Sequence, residues 1–357
     1  MIGKNKISSY YFLSFTLTII VLINTFYISN ILIFNSFIIC SFLAILTTKY
    51  GIKFLENYKF LQRIREEGPE SHFSKEMTPT MGGIFIIPIF LTIILIINIQ
   101  SVALKLNLFL TIFGFFSIGL IDDYLSIRNQ INLGLKGKEK LILQILFTTI
   151  FIIFINSNNL LNPEIQIWND LIIDAKAWIF PIAFLTIISL SNSVNLADGL
   201  DGLAAGCSSI IFCGLGTEIL LKNDPNLVMY SFLSFCMCGL CLGFLKYNKH
   251  PAKIFMGDTG SLAIGGIMGI LCVITNSFFS MLIISGLFVI EALSVILQVT
   301  YFKITKKIFK KGKRIFLMTP IHHHFELKGF EEKKIVEIFW IINILLVIFS
   351  IVLKASF

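Results

Sequence analysis

Residues 106–126 read LNLFLTIFGFFSIGLIDDYLS. A run of mostly apolar residues ends on two adjacent aspartates, Asp122 and Asp123. Two like charges side by side repel, and each resists leaving water. An aspartate at the centre of a membrane helix costs roughly 2.5–3.5 kcal/mol, and less near the ends. The stretch therefore reads as a membrane helix that stops on its aspartates, at a surface where water and a cation offset their charge.

The rest of the chain agrees with that reading. Of its 357 residues 56% are hydrophobic and 14% are charged, whereas a soluble domain has about 45–50% and ~25%. A membrane helix needs about 20 mostly apolar residues. Candidate spans lie near 31–48, 82–99, 106–121, 141–156, 177–191, 203–221, 227–245, 260–275, 278–302 and 335–353. A further apolar stretch at 10–28, preceded by Lys4 and Lys6, has no A-x-A cleavage pattern and reads as retained. It is either an eleventh span or a helix lying in the membrane interface. The fold class is an all-α polytopic membrane protein of about ten transmembrane helices. Residues 31–357 form one catalytic unit behind an N-terminal segment, 1–30.

Charge sets the orientation. The net charge is +8, and most Lys and Arg fall in four loops, at 49–81, 122–140, 246–253 and 303–334. Cytoplasmic loops collect such residues, so these four face inward. No stacking platform or basic recognition helix is present, which sets nucleic acid aside as a partner. The seven cysteines lie mostly in apolar runs, where Cys serves as a small apolar filler.

The polar motifs crowd onto the same inner side, as expected of one active face at the cytoplasmic surface. A transporter of lipid-linked sugars, the alternative from another class, would carry polar groups at mid-depth; only Glu291 and Gln298 offer that. Asp122, Asp123, Asp198, Asp201 and Asp258 all sit at predicted span ends. Such a cluster suits Mg²⁺, which takes oxygen ligands and is commonly held by one or two carboxylates plus substrate phosphates. Lys75 and Lys140 lie on that face and can hold phosphate oxygens as point charges. NLADGLDGLAAG and FMGDTGSLAIGG each open an apolar helix with glycines, and helix N-termini suit anions. In HHHFE, consecutive residues of a helix point about 100° apart, so His322, His323 and His324 do not share one zinc ion. Glu291, mid-span, is either functional or paired.

The motifs PESHFSK, TPTMGG, IDDY, Lys140, NSVNLADGLDG, FMGDTGSLAIGG, EALSVILQV and PIHHHFELKGF occur in this order. Together they resemble the phospho-N-acetylmuramoyl-pentapeptide transferases, within the polyprenyl-phosphate N-acetylhexosamine-1-phosphate transferases. The resemblance covers about residues 31–353. It implies transfer of phospho-MurNAc-pentapeptide from UDP-MurNAc-pentapeptide to undecaprenyl phosphate, giving lipid I and UMP with Mg²⁺ in the bacterial inner membrane. This is the first membrane step of peptidoglycan synthesis. It also implies ten spans, an interfacial 10–28 and a homodimer. The nearest alternative is a sister enzyme taking UDP-GlcNAc to the same lipid.

Residue by residue, the resemblance makes Asp258 the metal ligand, and Asp122 and Asp123 the acidic pair, one of which acts on the lipid phosphate. Lys75, Gly199, Leu200, Asp201 and Phe255 match positions lining the uridine pocket. Asn195, Asp198, Asn248 and Ser261 match other polar site positions, Gln298 one near the sugar-peptide end, and His322, His323 and His324 the histidine motif. Ser126 stands where the family often has Lys, which leaves Lys140 or Lys136 more of the phosphate load.

Overall fold

The computed structural model describes residues 9–28, 31–61, 78–99, 101–129, 134–167 and 171–355; Lys75 lies outside them. Thirteen α-helices follow one another among these residues: α1 (Ser9–Ile28), α2 (Ile31–Asn57), α3 (Ile87–Ile96), α4 (Val102–Asn129), α5 (Gly137–Ser157), α6 (Ile179–Ala197), α7 (Leu203–Leu220), α8 (Val228–Asn248), α9 (Gly257–Ile274), α10 (Phe278–Ile284), α11 (Gly286–Phe309), α12 (Ile321–Leu327) and α13 (Glu332–Ala355). Two three-residue strands, Glu164–Gln166 and Ile172–Asp174, pair antiparallel in the connection before α6. Ten helices among the described residues are long and apolar enough to cross a membrane, and the protein is a multi-pass, all-α membrane protein.

The centre of the bundle is α7, every residue of which is buried, flanked by α8 and α9. Close approach comes from small residues, as in membrane bundles generally. On α8, Gly239 and Gly243 lie four apart, and a methyl on either would strike backbone carbonyls of α2 at Phe37 and Ser41. On α9, Gly265 and Gly269 abut α6 at Leu190 and Ile187 in the same way. The outer helices α2, α5, α11 and α13 carry large exposed apolar side chains such as Phe42, Ile153, Leu297 and Phe349, the composition of a surface solvated by hydrocarbon.

Three expectations are corrected. The helix through 106–121 does not stop on Asp122 and Asp123; α4 runs on to Asn129. Both carboxylates find partners on neighbouring elements, so the helix need not end to reach water. The span near 82–99 is not one helix: a 3₁₀ turn, Gly82–Phe85, precedes the ten-residue α3, which carries Pro88 in its first turn. The span near 278–302 is two helices, parted at Ser285.

The stretch at 10–28 is α1, and it runs along the bundle rather than across its end. Tyr10 meets the Lys249 ammonium, 4.6 Å from its ring centre, at the loop after α8. Asn24 donates to Thr217 Oγ1 (3.0 Å) near the far end of α7.

The tightest crossing positions the site. Gly119, one turn before Asp123, leaves no room for a β-carbon, which would run into the carbonyl oxygen of Asp258. Replacing it with alanine pushes backbone against backbone, where overpacking costs about 1–3 kcal/mol. We expect Gly119→Ala to lower the unfolding temperature in detergent. Gly137→Ala, whose methyl would meet nothing within 4 Å, should leave it unchanged.

Candidate active site

The polar residues gather where α4, α5, α6 and α9 meet. Asp123, buried on α4, directs its carboxylate at the first turn of α9. Oδ1 accepts from the Asp258 N–H (3.2 Å), and Oδ2 accepts from the Thr259 N–H (2.9 Å) and hydroxyl (2.6 Å). The first amides of a helix have no partner within it. Here a side chain from another helix caps them, and the negative charge meets the positive end of the α9 dipole. Gly257, at φ +70°, turns the chain into α9 with its Cα against that carboxylate.

Asp122, the next residue on α4, faces elsewhere. Its Oδ1 accepts from the Leu135 N–H (2.6 Å), and its Oδ2 lies 2.8 Å from Lys140 Nζ. The same ammonium is 2.6 Å from Asp258 Oδ2. Asp258 Oδ1 accepts from Asn195 Nδ2 (2.7 Å), which also donates to Ser261 Oγ (2.9 Å). Two carboxylates thus converge on one cation, and an amide from α6 orients the second. Side chains of Asp258 and Lys140 are each 23% exposed, so the centre is open on one side.

Asp198, at the end of α6, lies close enough to feel this charge. Desolvation first, then the neighbouring Asp258 and Asp123, push its carboxyl well above the usual carboxylate range.

Other candidates serve the frame around the site. Phe255 joins the 79–83 segment by backbone pairing, its N–H donating to Pro79 O (2.8 Å) and its carbonyl accepting from Gly82 (2.9 Å). Asn248 donates to Ile254 O (2.9 Å) and closes the loop between them. Gln298 holds the chain after α11: its Oε1 accepts from Ile315 and Phe316 (2.8 and 3.0 Å), and its Nε2 donates to Phe316 O (3.0 Å).

Asp201 accepts from the Ala252 N–H (2.9 Å) and lies 3.2 Å from His250 Nδ1, while its own N–H donates to Glu332 (2.7 Å). Leu200, between Gly199 and Asp201, is buried. The three histidines of α12 part company. His322 is fully buried beside Glu291, His323 Nδ1 meets Glu326 (2.7 Å), and His324 Nδ1 accepts from the Leu317 N–H (3.1 Å).

Among the described residues, two groups of side chains can hold a cation: Asp122 with Asp123 and Asp258, and Asp201 with His250 and Glu332. In the second, backbone amides already use Asp201 and Glu332. In the first, Asp122 and Asp258 present oxygens to a positive charge that Lys140 supplies. Sequence reasoning missed Thr259, His250 and Glu332. Thr259 stands inside the MGDTG motif, but nothing local distinguishes a hydroxyl that binds another helix. His250 and Glu332 meet only through tertiary folding.

The Glycosyl transferase family 4 pattern matches residues 105–276, which include the whole acidic centre. Over 358 residues the chain is 57% identical to a phospho-N-acetylmuramoyl-pentapeptide-transferase of Prochlorococcus marinus subsp. pastoris, covering 100% of this chain and 99% of that protein. The like-named protein of Prochlorococcus marinus strain MIT 9301 is also 57% identical, with 100% of both chains covered. That of strain MIT 9215 is 56% identical over 99% of each.

The cap on α9 gives a direct prediction. Thr259→Val keeps shape and removes one buried hydroxyl donor to Asp123. A hydrogen bond to a charged group contributes about 1.5–3 kcal/mol. The variant should unfold at lower temperature in detergent and lose activity in parallel; an unchanged unfolding temperature would show that the bond does not hold α9.

Proposed function

The chain belongs to the phospho-N-acetylmuramoyl-pentapeptide-transferase family, and from that premise we propose that it transfers phospho-MurNAc-pentapeptide from UDP-MurNAc-pentapeptide to undecaprenyl phosphate, with Mg²⁺ as cofactor. Lipid I and UMP are the products, and the step belongs to peptidoglycan synthesis. The observation that carries the assignment of the site is the convergence of Asp122 and Asp258 on the Lys140 ammonium.

In the reaction, an oxygen of the lipid phosphate attacks the phosphorus that bears the sugar. The bridging P–O bond to UMP breaks, and UMP leaves with the bridging oxygen. Asp122 takes the proton of the lipid phosphate. It is the member of the acidic pair that faces the reacting groups, because Asp123 has both oxygens committed to α9. The same commitment argues against a covalent intermediate on Asp123. Lys140 moves from carboxylate to substrate phosphate as a point charge.

The donor set fits Mg²⁺, which prefers oxygen ligands and keeps several waters. Asp258, with Asp122 beside it, would hold the ion. When bound there, Mg²⁺ neutralises the diphosphate and polarises the bond being broken. Asn195 keeps Asp258 oriented in either case. Phe255 would offer an aromatic face to the uracil, with Gly199 and Leu200 as further members of the pocket that the resemblance implies. The excess of Lys and Arg in the loops on this side supports a cytoplasmic active site in the bacterial inner membrane. The resemblance also supports a homodimer as the acting form.

Purified protein given undecaprenyl phosphate, Mg²⁺ and one UDP-sugar at a time should release UMP with UDP-MurNAc-pentapeptide. Release with UDP-GlcNAc alone would make it the sister enzyme. Asp258→Asn should lower turnover by on the order of 100-fold or more, since metal stabilisation of transition-state charge is worth several kcal/mol. Unchanged turnover would remove Asp258 from the centre.

A further inference from the structure

Glu291 lies in the apolar body of α11 and is fully buried, as is His322 on α12. A buried carboxylate in such a helix costs several kcal/mol unless it is compensated. The only group within ion-pair range of it among the described residues is the His322 ring, with Nδ1 3.1 Å from Glu291 Oε2. The two are close enough for a charge contact but not aligned for a hydrogen bond, and neither makes another hydrogen bond through its side chain. Cys207 of α7 is the other titratable side chain that faces Glu291.

The far side of the same ring meets the site. A β-carbon on Gly199 would come within 2.5 Å of His322 Nε2, so the imidazole backs directly onto the turn between Asp198 and Asp201. The His323 ring packs on it as well, with centroids 4.1 Å apart. His322 therefore stands between a buried carboxylate and the turn that carries the nucleotide-facing residues. Without Glu291, Nδ1 would be left buried with no polar or charged neighbour among the described residues to favour this orientation of the ring.

We propose that Glu291 is a positioning residue for the transfer reaction: by anchoring His322 Nδ1 it holds the ring, and through it the Gly199 turn, in the shape that binds the nucleotide-sugar. This rests on the assignment of the site as a UDP-sugar phosphotransferase. It explains why a carboxylate is kept inside an apolar helix that touches no reacting atom. Partners that orient a metal-ligating histidine commonly matter tenfold to a hundredfold without touching the substrate, and a positioning partner of His322 is expected to act on the same scale.

The test compares Glu291→Leu and Glu291→Gln in the full chain, reading three quantities: unfolding temperature, KM for the UDP-sugar with kcat, and the rise in unfolding temperature caused by UMP. Gln keeps a polar partner for Nδ1 and should stay within about threefold of wild type throughout. Leu should raise KM about tenfold or more with kcat within about threefold, and should abolish the UMP-induced rise, while the unfolding temperature without UMP stays near that of wild type. Wild-type KM and UMP response in Glu291→Leu would overturn the proposal. So would a joint fall of kcat, kcat/KM and unfolding temperature, the mark of a purely structural pair. If wild type itself neither responds to UMP nor releases it, the parent assignment fails instead, and the two failures are distinguishable.

Discussion

The site depends on one interaction between helices, the Asp123 carboxylate of α4 seated on the first turn of α9. Asp258 and Thr259 supply both the backbone amides that Asp123 caps and the side chains of the centre. The cap therefore fixes the distance between the two acidic motifs. Gly119 lets α4 come close enough to make it, and Gly257 turns the chain so that the amides face it. A carboxylate placed there is stabilised by the helix dipole and by several donors at once, which offsets much of the cost of burying it.

With Asp123 occupied in this way, the open side of the centre is left to its neighbours. Adjacent residues on a helix point about 100° apart, and Asp122 uses that rotation to face Lys140 and Asp258. The result is a divided pair in which one carboxylate builds the frame and the other faces the Lys140 ammonium. A similar division holds among the other polar residues. Asp201, Asn248 and Gln298 tie chain segments together by side-chain hydrogen bonds to backbone groups, and Asp258, Lys140 and Asn195 face the open side.

Much of this was legible in the sequence. The apolar runs gave the class of fold and most of the helices, because hydrocarbon demands long uninterrupted segments. The motifs IDDY, NLADGLDG and FMGDTG marked the residues that meet at the centre. What could not be read was the partner of each group. The 100° between neighbours on a helix gives Asp122 and Asp123 different jobs, but not which has which, and α4 was expected to end on them. Only packing shows that one caps α9 and that the helix runs on to Asn129. The break at Ser285 and the short α3 also depend on tertiary contacts, since hydrophobicity alone does not separate a kinked span from a straight one. Glu291 was visible as an anomaly, but its neighbour His322 lies on another helix.

The central claim is that the divided acidic pair and Asp258 form the metal-dependent centre. The most direct measurement is a structure of the protein soaked in Mn²⁺, a Mg²⁺ substitute that scatters anomalously. The account predicts a single anomalous peak within coordination distance of Asp258, with Lys140 displaced from the carboxylates. A peak at Asp201, His250 and Glu332 instead, with none beside Asp258, would contradict it.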